Sequence, residues 1–262
     1  MQISIHHQLS ITPPPGTAHA VLQLLLTPQS GPAQSIESWS VEMAGIGNAG
    51  RFTDAFGNTA HLVNQSRPEG ALTVTVKGLV ETRDTHGVLG RTGGEPVPAL
   101  YRRVTALTRA PVGLYGKFRG SRDSRLDILH AVMARVGEVL SVGAEPTQMQ
   151  ADGAQNQTAA TGALPPASDY AHGFVGACRA LDIPARYVTG YLAGAGEHPA
   201  FHAWAEAHDE GLGWIGFDPR LQLCPTDRHV RLAAGLDASG TRPVRMVPAG
   251  DMGDIAVTVA GA

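Results

Sequence analysis

His202 and Asp218 carry the residue types and the context most suited to chemistry. His202 stands in His-Ala-Trp-Ala-Glu, and Asp218 follows sixteen residues later in Gly-Trp-Ile-Gly-Phe-Asp-Pro. An imidazole that titrates near neutrality, beside a carboxylate able to hold its tautomer, makes a proton relay. The plainer readings are a core histidine in a strand and a turn aspartate ahead of Pro219. A relay needs a nucleophile to serve. Ser168 is one candidate, but serine near the start of a helix is first of all an N-cap. Cys178 lies three turns into the same helix on its apolar face and reads as a buried structural thiol. Cys224 has no identifiable base and reads the same way. Asp169 and His172 sit at the helix start, where they would line a cleft or brace the first turn; support is the default reading, and Asp169 also suits the helix dipole. Trp204 and Trp214 read first as core packing beside the site; the second reading is an exposed Trp lining a peptide cleft, for which Trp204 is the candidate. His198, His202 and His208 are spaced by four and six residues, but Pro199 argues against a helical pair of ligands, and neither cysteine has CxxC spacing. No metal is expected.

The elements that must position these residues follow from periodicity. Ile3 and Ile5 alternate with polar neighbours, as do Leu72, Val74 and Val76, and Val21 to Leu26 and Ile36 to Met43 are strand-like. Asp54 to Asn58 is a tight turn. Together these predict a small antiparallel β-sandwich over residues 1–82. Residues 83–119 form a connection rich in Gly and Pro. A core follows over 120–262. Ser124 and Asp127 have the spacing of a capping box, and Leu126, Leu129, Met133, Val136 and Leu140 mark one helical face. Ser141 to Pro166 reads as a polar loop or weak helix leading to the site. A second helix is predicted from Ser168 to Leu181, stopped by Pro184, with Ala171, Phe174, Val175, Cys178 and Leu181 on its buried face. Strands are predicted at 185–192, 203–207 and 214–217.

The order of these segments resembles the bacterial transglutaminase-like family. The resemblance rests on Ala167-Ser-Asp-Tyr-Ala-His-Gly-Phe, Leu181-Asp-Ile-Pro-Ala-Arg-Tyr-Val-Thr-Gly-Tyr, His202-Ala-Trp-Ala-Glu and Gly213-Trp-Ile-Gly-Phe-Asp-Pro. It continues in His229-Val-Arg-Leu-Ala-Ala-Gly, and the opening strand and the Asp54 turn resemble the N-terminal domain of such proteins. The family implies an α+β fold: an N-terminal antiparallel β-sandwich followed by a papain-like transglutaminase core, a helix packed on an antiparallel sheet. It implies a Cys nucleophile at the helix start, a His base and an orienting Asp, and no bound cofactor. His202 and Asp218 fall on the base and carboxylate positions, and Ala167 falls on the Cys position. The family's run there reads Gly-Val-Cys, then Gln or Arg, then Asp, where this chain has Pro165-Pro166-Ala167-Ser168-Asp169. Four residues differ together, and a methyl group attacks nothing.

The expectation is therefore a non-catalytic member that binds a peptide or protein, or that acts as a regulatory companion to an active relative; the resemblance also implies an ATP-dependent amide-forming enzyme as a partner. The alternatives are an amidase, peptidase or acyltransferase with a relocated nucleophile at Ser168 or Cys178, and a structural subunit with a vestigial cleft. Bulk properties are neutral between them. A net charge of −3 over 262 residues gives no electrostatic basis for nucleic acid, and no apolar run is long enough to span a bilayer. The N-terminus lacks the pattern of a secretory leader, so a cytoplasmic location with reduced thiols is expected.

Overall fold

Strict alternation along the first strand sets the N-terminal layer. In the computed structural model, which describes residues 1–91, 95–141, 166–194, 196, 200–253 and 256–261, β1 (Gln2–Thr12) buries Ile3, Ile5, His7, Leu9 and Ile11 and turns the residues between them outward. β2 (His19–Thr27), β3 (Gln34–Glu42), β4 (Gly50–Thr53), β5 (Thr59–Ser66) and β6 (Leu72–Thr82) complete the first part. They divide into two antiparallel sheets, β1-β6-β3 and β2-β5-β4. Ile3, Leu22, Val63 and Val76 meet in the shared core. The predicted turn at Asp54 is present: its Oδ1 accepts the N–H groups of Phe56 and Asn58, and Gly57 takes φ 85°.

Residues 83–119 do more than connect. They supply β7 (Val88–Gly90), an edge strand paired with the core sheet, and the short helix α1 (Val112–Tyr115). Next come α2 (Arg125–Ser141) and α3 (Ala167–Ala180). Half of the expected capping box of α2 is present: Ser124 Oγ accepts the Asp127 N–H, while the Asp127 carboxylate accepts from that same hydroxyl in place of the Ser124 backbone N–H. The polar stretch expected between the helices, at 142–165, lies outside the described residues. β8 (Ala185–Leu192), β9 (Phe201–Asp209), β10 (Gly213–Phe217) and β11 (His229–Gly235) form the core sheet in the order β11-β8-β9-β10-β7, all antiparallel. Phe174, Val175 and Cys178 of α3 join Ala205, Ala207, Ile215 and Phe217 of the sheet in one cluster with Leu129, Val132 and Val136 of α2. Among the described residues no helix is long and apolar enough to cross a membrane.

The C-terminal segment corrects the expected boundary. β12 (Val244–Val247) pairs with β2, while β13 (Asp251–Met252) and β14 (Ala256–Gly261) pair with β1. These residues, assigned by sequence to the core, are strands of the sandwich. They cover edges that β1 and β2 would otherwise leave open.

Candidate active site

The site is assembled by the ends of three strands. β9 places His202, β10 ends one residue before Asp218, and β11 begins at His229. All three side chains are buried. His202 Nε2 lies 2.6 Å from Asp218 Oδ2, and His229 Nε2 lies 3.1 Å from the same oxygen. The other oxygen, Oδ1, accepts the backbone N–H groups of Arg220 and Leu221 at 3.1 Å each. Burial by itself pushes the Asp218 carboxyl up, but hydrogen bonding from His202 and then His229 outweighs it and holds the group at about 2. Asp218 is therefore a carboxylate and accepts from both rings.

Proton positions follow from the partners. The Thr226 N–H donates to His229 Nδ1 at 3.2 Å, so a neutral His229 carries its one proton on Nε2 and gives it to Asp218. His202 likewise gives its Nε2 proton to the carboxylate. Its Nδ1 is left as a buried lone pair without a hydrogen-bond partner among the described residues. A base held in this tautomer, with its free nitrogen turned away from the carboxylate, is ready to take a proton from whatever stands next to it.

The three ligand atoms lie within 4.8 Å of one another, a spacing that raises the question of a divalent cation. A metal-bound imidazole donates its remote N–H to an acceptor. Here the remote nitrogen of His229 accepts an N–H instead, so the proton sits on the atom a metal would need. The donor set fits proton sharing and does not fit a metal. Of the other spaced histidines, His208 stands edge-on to Trp214 at 5.2 Å, away from this cluster, and His198 lies outside the described residues.

The helix-start residues divide by role. Ala167 is the first residue of α3, partly buried and packed on the cluster of Ala171, Tyr187 and Ala203, the last being next in chain to His202. Pro166 is the N-cap and offers no side-chain bond. That corrects the expectation for Ser168: it stands inside the helix, with its Oγ only 3.5 Å from Asp169 Oδ1. Asp169 is exposed. His172 is structural. It stacks on Tyr187 with ring centroids 4.7 Å apart, its Nε2 accepts the Ala238 N–H, and burial lowers it to about 4. Cys178 is fully buried, and burial pushes its thiol far up, which removes the thiolate a nucleophile needs. Cys224 is half-buried with its thiol also raised, chiefly by burial, and both cysteines are free. Trp204 packs with Val188 and Ala234, 6.4 Å from the His202 ring and 5.4 Å from that of His229.

Sequence reasoning passed over two features. His229 was visible only as part of a longer run. The second is a charged ring formed by Arg186, Glu206, Arg231 and Glu95. Arg186 bonds Glu206 at 2.5 Å and Glu95 at 2.8 Å, while Arg231 bonds Glu206 at 2.9 Å. Burial would raise the Glu206 carboxyl, yet Arg186 and Arg231 together hold it below its ordinary value. Its signal was a Glu and an Arg at strand positions whose neighbours are apolar.

Known proteins resemble the chain in sequence and fold. Residues 116–219 match the core of the transglutaminase-like superfamily, and residues 3–81 match the bacterial transglutaminase-like N-terminal region. An uncharacterized protein of Mycobacterium leprae is 22% identical over 251 residues, covering 86% of this chain and 85% of the relative. A protein from Cytophaga hutchinsonii, provisionally assigned as a cysteine protease, superimposes with TM-score 0.72 at 19% identity, over 99% of this chain and 90% of its own; that likeness is one of fold. The periplasmic domain of TgpA from Pseudomonas aeruginosa gives TM-score 0.35 at 16% identity, over 84% of this chain and 90% of its own.

Proposed function

The chain belongs to the transglutaminase-like superfamily, with the bacterial N-terminal region ahead of the core, and from that premise we propose a member without a nucleophile that holds a peptide or protein segment at the retained site. The observation that carries the reading is His202 Nδ1, a buried acceptor with no donor among the described residues, one position before Ala203, which packs in one cluster with Ala167 at the start of α3. A buried acceptor left without a partner is costly, typically 1–3 kcal/mol. A ligand N–H, such as a peptide amide, would satisfy it. An active relative or an amide-forming enzyme would be the natural source of such a segment.

A relocated nucleophile fits less well. Cys178 is sealed in the core, and among the described residues Ser168 has no imidazole as a hydrogen-bond partner. The test is turnover and binding in parallel. The natural protein should leave glutamine-containing peptides and activated esters unchanged over hours while binding a subset of the peptides, and His202→Ala should weaken that binding. Turnover abolished by His202→Ala would overturn the proposal.

A further inference from the structure

A cavity of about 310 Å³ lies on the face of the core sheet turned toward the N-terminal sandwich. Residues of β9 and β10 that pack on the helices are Ala205, Ala207, Ile215 and Phe217. The cavity takes the alternate positions, Trp204, Glu206 and Gly216, and so stands on the opposite face. The loop from Gln29 to Gln34, between β2 and β3, forms its other wall. His202 and Ala167 are not among its lining residues.

The charged ring borders this cavity, and it is closed on three sides only. Three of its contacts are hydrogen bonds, at 2.5, 2.8 and 2.9 Å. The fourth, Arg231 Nη2 to Glu95 Oε1, spans 3.9 Å and is too long for one. The open side is also the accessible side: Arg231 and Glu95 keep 26% and 20% of their side-chain surface, whereas Arg186 and Glu206 keep 1% each. Two guanidiniums and two carboxylates balance, so a lone anion or cation entering the gap would leave a charge uncompensated in a half-buried place. A ligand carrying both charges would not.

We propose that this cavity binds a small zwitterion of the α-amino acid class, a free amino acid or dipeptide. Its carboxylate accepts from Arg231 and its ammonium donates to Glu95. The indole of Trp204 and Leu89 give its side chain an apolar wall. The volume lies at the lower limit of small-molecule sites, about 300–1,000 Å³, which excludes larger occupants. His229 also lines the cavity and donates to Asp218, so the occupant sits one side chain from the His202 relay.

Calorimetric titration of the full chain tests it. Leucine, methionine and alanyl-leucine are compared with their N-acetylated and C-amidated forms. At least one zwitterion should bind saturably with Kd at or below roughly 1 mM. Blocking either terminus should weaken it by about tenfold or more. Glu95→Gln should have the same effect in a protein whose circular dichroism is unchanged. Should that variant fail to fold, Ala33→Trp fills the cavity without touching the charges and should abolish binding. The proposal is overturned if no zwitterion binds at concentrations on the order of 10 mM, if the blocked forms bind equally well, or if a folded variant keeps full affinity.

Discussion

Asp218 accepts four hydrogen bonds, two from imidazoles and two from backbone amides, and among the described residues none of these donors makes a second hydrogen bond. Asp218→Ala leaves both Nε2–H groups buried and unsatisfied, which should lower unfolding free energy by about 3 kcal/mol. Asp218→Asn keeps one carbonyl oxygen and should cost about 1 kcal/mol. Urea denaturation of both variants checks the order; an unaffected Asp218→Ala protein would contradict the assigned hydrogen bonds. His202 and Asp218 were legible in the sequence because their flanking residues are themselves distinctive. His229 was not, because its role is set by a carboxylate eleven positions away and by a backbone amide that only the turn at Thr226 brings to Nδ1.

Three strands of the core sheet are tied together by charge as well as by backbone. Arg186 is on β8, Glu206 on β9 and Arg231 on β11. Glu206 is fully buried, so Glu206→Gln leaves two guanidiniums short of a counter-charge and should destabilise the fold by about 3 kcal/mol. Gly190 lies where β11 and Trp204 close on β8. A Cβ there would meet the Val230 carbonyl oxygen at 2.1 Å and the Trp204 ring at 2.6 Å. Gly190→Ala should therefore cost about 3 kcal/mol, read as a lower thermal midpoint, and a neutral result would mean the strands can part. The bounds of β8 coincide with the stretch predicted for it, since Pro184 ends the helical signal and a run of buried residues follows. β7 and β12 to β14 escaped notice. Strands of two to six residues carry too little period, and their pairings reach across the chain.

The sandwich and the core are joined by polar contacts that stay neutral. His7 of β1 meets the Tyr191 hydroxyl of β8 at 2.9 Å, and burial, followed by the nearby His6, lowers His7 to about 4. A base whose folded pKa lies below its unfolded value of 6.5 imposes no penalty above pH 6.5. The penalty grows as pH falls toward 4, reaching about 3 kcal/mol for His7. His172, lowered to a similar value, adds in the same direction. Stability measured by urea unfolding should fall steeply from pH 6.5 to 4, and His7→Phe should flatten the slope; an unchanged slope would remove His7 from the account. We propose that the His202 relay stands assembled beside Ala167, a residue that cannot react. It is tested most directly by the alkylation rate of Ala167→Cys with iodoacetamide across pH, with and without His202→Ala. Since the other two thiols are raised by burial, the new thiol should dominate the signal. Its thiolate should titrate well below the ordinary value near 8.5 and return to that value when His202 is removed. A thiol that titrates near 8.5 in both proteins would show that Ala167 does not stand beside the His202 base.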